Sequence, residues 1–183
     1  MNSSKKKLFR ILSKKTVFRG HLSQLDVLQI QTQNGRRVER ELIRHRGAVI
    51  LIPILPDGRL ILIRQLRIAT GGAIWEFPAG TLEKGEPIRK CASRELLEET
   101  GWKAGRLRKL FAFYPTPGIS TEKMHLFLAD RLTNTGKTSL DVDEELEVSY
   151  FSSREVERMV HRRKIIDGKT LLGFLYYRLY LRS

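Results

Sequence analysis

The chain has 183 residues, of which 41% are hydrophobic, and a formal net charge of +14. Length and apolar content fit a globular chain able to bury a core, and they exclude a disordered one. The single cysteine, Cys91, permits no internal disulfide, and no apolar run is long enough to span a bilayer, so a cytoplasmic protein with no membrane partner is expected.

The excess positive charge can steer polyanions such as RNA or acidic lipid surfaces. Lys and Arg are nevertheless spread along the chain without an RNA-binding aromatic motif. A solvated basic surface that also attracts small phosphate-bearing substrates is therefore the plainer reading. The amino terminus is basic (Lys5, Lys6, Lys7, Arg10, Lys14, Lys15), and no acidic residue precedes Asp26. Its apolar stretch Leu8–Leu12 is too short and interrupted for a secretory signal; an organelle transit peptide is the alternative.

Short strands are expected at Thr16–Phe18 and Val27–Thr32. Asn34-Gly35 then makes a hairpin turn into a return strand, Arg37–Ile43. This leading hairpin has little apolar surface of its own and must rest on the main domain or on a second subunit. Residues 1–45 are read as a hairpin and dimerisation region, and residues 46–183 as the main domain.

Gly47–Leu55 and Arg59–Gln65 read as apolar strands joined by the turn Pro56-Asp57-Gly58. A further strand over 73–79 feeds a glycine-bearing loop. Beyond the following helix, Leu110–Tyr114 and Met124–Ala129 read as strands. Residues 131–143 read as a polar loop, and Glu145–Phe151 as a last strand. Ser152 with Glu155 forms a capping box for a helix to about Arg163. Asp167-Gly168 breaks that helix before a terminal amphipathic one marked by Leu171, Leu172, Leu175 and Leu179. Strands, helix, strands and then helices indicate an α/β sandwich.

The most informative segment is 80–102. Gly80 and Gly85 shape a loop, Pro87 suits a helix start and Gly101 its left-handed stop. At about 100° per residue, Ile88, Cys91 and Ala92 share one face, and Glu95, Glu98 and Glu99 continue it. Such a stripe cannot be buried unless protons, arginines or metal neutralise it. Carboxylates at this spacing converge, and hard oxygen ligands of this kind suit Mg2+, with Mn2+ as the alternative. A solvated acidic patch paired with Arg94 is the rival reading. Cys91 lies on the inward stripe and reads as packing.

Gly80, five residues, Glu86, seven residues, and then Arg94-Glu95-Leu96-x-Glu98-Glu99-x-Gly101-Trp102 fill every fixed position of the Nudix box. The chain resembles a Nudix hydrolase, which implies a Nudix-type α/β/α sandwich. Within that family it is most similar to the ADP-ribose and nucleotide-sugar pyrophosphatases. That likeness rests on Gln65–Ala69, on Trp75-Glu76-Phe77-Pro78-Ala79-Gly80, and on Tyr114–Gly118 with Glu122. Asp167-Gly168-Lys169-Thr170 resembles the tail of relatives that hydrolyse GDP-mannose, so the sugar stays open. Leu66 departs from the aromatic residue common in the family.

The resemblance implies metal-assisted attack of water on a pyrophosphate. Glu95 and Glu99, with Glu98 and the carbonyl of Ala79, would hold the metal. Glu144 would be the catalytic base, with Glu98 as a further catalytic carboxylate; Glu145 and Glu122 are alternatives for the base. Arg67 would grip phosphate, Arg94 would orient a box glutamate, and Glu86 would be structural. Arg40, Glu41 and Arg46 would reach substrate, in relatives across a homodimer. Thr116, Pro117, Gly118 and Glu122 complete the expected substrate contacts. Phe18 could take the place of the adenine-stacking tryptophan found in some relatives. An RNA 5′-end pyrophosphohydrolase, drawn by the basic charge, is the alternative function.

Overall fold

The computed structural model describes residues 8–136 and 146–181. Two compact units emerge. The first comprises the described residues up to Arg46 together with Thr116–Glu122, and the second comprises Gly47–Pro115 with the described residues from Lys123 onward.

The first unit is a three-stranded antiparallel sheet in the order β1-β2-β3, with β1 Phe9–Arg19, β2 Ser23–Thr32 and β3 Arg37–His45. The sequence led to a hairpin with only a short segment before it. Instead the basic stretch forms an 11-residue strand, with register shifts between Ile11 and Ser13 and between Thr16 and Phe18. Each shift inverts the in–out alternation, which hides a strand from a period-two reading. Asn34-Gly35 does turn the chain, with Gly35 at φ 81°. The buried Asp26 carboxylate ties the sheet together by accepting from Gln24 Nε2 (2.6 Å), Thr16 Oγ1 (2.8 Å) and Arg44 Nε (3.0 Å). The bond from Gln24, with help from Arg44 and Thr16, pulls its pKa down to about 2.

The second unit is an α/β sandwich. One sheet has the order β10-β5-β6 (β10 Leu146–Phe151, β5 Leu60–Arg67, β6 Gly72–Glu76). The other has the order β7-β4-β9-β8 (β7 Ala79–Thr81, β4 Ala48–Pro53, β9 Met124–Asn134, β8 Trp102–Phe113). Strand β4 is apolar throughout and is buried on both faces. Ala48, Ile50 and Ile52 pack with Phe77 and with Val156, Phe174 and Tyr177 of the helices α2 (Ser153–His161) and α3 (Gly168–Tyr180). Val49 and Leu51 pack with Cys91, Ala92 and Leu96 of helix α1 (Ile88–Thr100). Helices therefore cover both faces, as expected of a strand that is hydrophobic without alternation.

The expected strand over 73–79 is two strands in different sheets. Pro78 lacks an N–H for a ladder, and the chain crosses from β6 to β7 at Phe77-Pro78. Strands β8 and β9 run longer than their apolar cores, and β9 extends to Asn134 into the stretch expected as loop. The capping box at Ser152 and Glu155 is present. Asp167 does more than break a helix, because its side chain caps α3 by accepting from the Thr170 N–H at 2.9 Å.

Candidate active site

Helix α1 starts after Pro87 and ends at Gly101, whose φ of 72° is the left-handed conformation glycine tolerates best. Its inward face begins with Cys91, Ala92 and Leu96 and continues with Glu95 and Glu99, which are 9% and 4% exposed. Gly80 makes room for this carboxylate stripe. A Cβ at that position would lie 1.9 Å from Cδ of Glu95, so the Glu95 carboxylate occupies the space a side chain would need. Next to it, Glu99 Oε2 accepts from the Ala79 N–H at 3.0 Å. The turn into β7 and the acidic face of α1 are thereby joined through two consecutive backbone positions.

Arg94 gathers the remaining box carboxylates. Its Nε and Nη2 donate to the two oxygens of Glu86, each at 3.0 Å, while Nη1 lies 2.9 Å from Glu98 and 2.8 Å from Glu95. Hydrogen bonding to Arg94 pulls the Glu86 carboxyl down to about 2, and the same carboxylates hold the guanidinium firmly charged. Glu86 also accepts from the Glu83 N–H at 3.1 Å, fastening the glycine-bearing loop to the helix start. Burial pushes the Cys91 thiol up to about 12, so it is an inert packing group.

Among the described residues, no three His, Cys, Asp or Glu side chains are gathered closely enough to hold a metal. The donor chemistry does fit a hard divalent cation. Glu95, Glu98 and Glu99 supply oxygens along one helical stripe, and the Ala79 backbone lies against Glu99.

A family model described as the NUDIX domain matches residues 44–171. The chain belongs to the Nudix family. It is 37% identical over 171 residues to an ADP-ribose pyrophosphatase of Bacillus subtilis (strain 168), covering 93% of this chain and 92% of that protein. It is 36% identical over 161 residues to a GDP-mannose pyrophosphatase of Escherichia coli (strain K12), covering 79% and 84%. A crystal structure of an ADP compounds hydrolase superposes with a TM-score of 0.80 at 26% identity, covering 94% of each chain.

The Nudix-box residues expected from the sequence thus come together in the second unit. Arg67, expected on phosphate, also lies there. Its Nε and Nη2 grip the buried Glu76 at 2.8 and 2.7 Å, and its side chain is 37% exposed. The first unit holds the other expected substrate contacts. Arg40 and Glu41 are exposed on β3, with Arg40 Nη1 donating to the Glu39 carbonyl at 2.8 Å. Arg46 donates to the His21 carbonyl at 2.9 Å. Thr116, Pro117 and Gly118 are exposed, and Glu122 lies 3.8 Å from His45 Nδ1. Phe18 is exposed on β1. Glu144, with the alternative Glu145, falls outside the described residues.

Sequence reasoning gave no role to Glu76, Lys169 or His125. His125 sits in the row Gly80–Val49–His125–Ala112 across the sheet, is 7% exposed, and its Nδ1 has no hydrogen-bond partner among the described residues. Burial, aided by Lys109 and Lys123, lowers its pKa, which keeps the ring neutral. A lone histidine in an apolar strand carries no sequence signal for this.

Proposed function

We infer that this Nudix enzyme hydrolyses the pyrophosphate bond of nucleoside diphosphate sugars, with ADP-ribose as the leading substrate, yielding a nucleoside monophosphate and a sugar phosphate. The observation that carries this reading is the seat at Gly80, where a missing side chain lets Glu95 lie on β7 beside the Glu99–Ala79 bond. A merely solvated acidic helix face has no use for such a fitted contact. The pyrophosphatases of ADP-ribose and GDP-mannose among the relatives support the substrate class.

Nudix hydrolases depend on divalent metal. The proposed ion is Mg2+, with Mn2+ as a substitute, held by Glu95, Glu98, Glu99 and the Ala79 carbonyl. When bound, it would neutralise adjacent phosphates and lower the pKa of the attacking water. Arg94 keeps Glu95 and Glu98 fixed at the stripe. Arg67 presents a half-exposed guanidinium for phosphate oxygens. Glu144 is the proposed acceptor of the water proton, and Glu98 a second carboxylate near the reacting groups. Arg40, Glu41, Arg46, Thr116, Pro117, Gly118 and Glu122 are proposed to hold the nucleotide and sugar.

A homodimer is proposed through the leading sheet, where Phe9, Ile11, Val17 and Phe18 are exposed. No helix among the described residues is long and apolar enough to cross a membrane.

The test is release of phosphate monoester with Mg2+ across ADP-ribose, GDP-mannose, other nucleotide sugars, nucleoside triphosphates and 5′-triphosphate RNA. A preference for ADP-ribose or another nucleotide sugar is expected. Turnover of RNA alone would reject the reading and assign the basic charge to RNA-end processing.

A further inference from the structure

Glu76 is a carboxylate with 1% exposure at the end of β6, and it is held by two cations. Arg67 grips it with Nε and Nη2, and Lys169 Nζ donates to its Oε2 at 2.6 Å. Burial favours the neutral acid, yet the Arg67 bonds and the nearby Lys169 charge outweigh it and keep the group ionised. Lys169 in turn lies 3.0 Å from Asp167, the residue that caps α3. Thr170, fully buried, donates Oγ1–H to Asp167 at 2.6 Å and accepts the Phe77 N–H at 2.8 Å. One turn at the start of α3 thus fastens two consecutive residues, Glu76 and Phe77. The chain then passes through Pro78 to Ala79 and Gly80, where Glu99 and Glu95 rest.

Stability alone does not account for two cations on one buried carboxylate. A bidentate arginine already gives each oxygen a charge-assisted bond, and a second cation, part-buried with its side chain 14% exposed, brings a further desolvation cost. The second cation matters if Arg67 has other work. Removing Arg67 from a singly paired Glu76 would strand a buried charge, at a cost that would oppose any movement toward substrate. With Lys169 in place, Glu76 stays paired while Arg67 turns its guanidinium outward. The Glu99 charge also reaches Arg67 and reinforces its protonation, so the same arginine feels the box helix.

We propose that Lys169 is a positioning residue for substrate binding: it holds Glu76 so that Arg67 is available to the pyrophosphate. The Asp167-Gly168-Lys169-Thr170 turn is then part of the site through Arg67, rather than a tail feature or a helix break. This inference rests on the reading of Arg67 as a phosphate ligand made above.

The test is a double-mutant cycle with ADP-ribose and Mg2+, using Lys169→Met, Arg67→Ala and the double variant, with melting temperatures recorded for each. Lys169→Met is expected to raise KM about tenfold with kcat changed by less than about threefold, and to raise it by no more than about twofold in the Arg67→Ala background, because residues that act as one unit are not additive. Lys169→Arg, which preserves the charge, should recover KM to within about threefold of the native value. Should Lys169→Met fail to fold, Lys169→Gln carries the same cycle. An equal effect of the lysine variant in both backgrounds would reduce Lys169 to a structural role and overturn the proposal, as would an unchanged KM in the single variant. An Arg67→Ala enzyme with native KM would instead overturn the phosphate reading of Arg67 itself, and the proposal with it.

Discussion

The two units solve the problem of burying residues in opposite ways. In the first, Leu28 is the one buried hydrophobic among the described residues, and the sheet is clasped by the polar cluster at Asp26 while Phe9, Ile11, Leu12, Val17 and Phe18 remain exposed. In the second, both faces of β4 are covered by helices, and carboxylates are drawn into the protein against arginines. A sheet with apolar residues outside and one leucine inside has little hydrophobic stabilisation of its own, since stability scales with apolar area removed from water. It is suited to be one half of an interface. The second unit instead uses its stability to hold charges where water would otherwise disperse them.

The largest effect is expected at Gly80. A Gly80→Ala Cβ would meet the Glu95 carboxylate at 1.9–2.2 Å, so Glu95 must move. Turnover of ADP-ribose should fall about a hundredfold, as displacements near 1 Å at a reacting centre do. The protein should remain folded by circular dichroism, and native turnover in this variant would remove the seat from the site.

Arg94 gives the next largest effect. Arg94→Met leaves Glu86, Glu95 and Glu98 without the cation that joins them, and unfolding free energy in urea should drop by about 3 kcal/mol, as when one partner of a buried pair is removed. A pH dependence sharpens this. The Glu86 carboxyl lies near 2 in the folded state against an ordinary value of 4.5. Its contribution is therefore complete above about pH 4.5 and is lost as pH falls toward 2, because the unfolded chain then binds the proton more readily. Glu86→Gln should flatten the acid limb of melting temperature against pH over that window.

The smallest effect on folding is expected in the first unit. Replacing Phe9 and Phe18, which are 51% and 59% exposed, by serine should change the unfolding free energy of the isolated protomer by less than about 1 kcal/mol. The same change should convert a dimer into a monomer on a sizing column. A dimer that keeps its concentration dependence would remove the leading sheet from the interface.

How much of this was legible in the sequence follows the same division. The Nudix box could be read because its glycine, glutamate and arginine positions lie within 23 residues, and helical periodicity alone brings the carboxylates to one stripe. Asn34-Gly35 and the Ser152–Glu155 capping box were legible because each acts on its own neighbours. Of strand β1 only Thr16–Phe18 was, since two register shifts scramble the alternation of the rest among lysines and arginines. The crossing at Phe77-Pro78 was hidden because Ala73–Ala79, apolar but for Glu76, reads as a single strand-length element. The Arg67–Glu76–Lys169 cluster was invisible for a different reason. Its members are 9 and 93 residues apart, and nothing local shows that α3 begins beside the end of β6.

The metal placement is tested most directly by Mn2+ binding to the native protein and to Glu99→Gln, followed by electron paramagnetic resonance without substrate. Native protein is expected to bind Mn2+ and Glu99→Gln to bind it at least about tenfold more weakly, a range typical of losing support at a metal site. Equal binding by the two proteins would contradict the placement of the metal on the acidic stripe of α1.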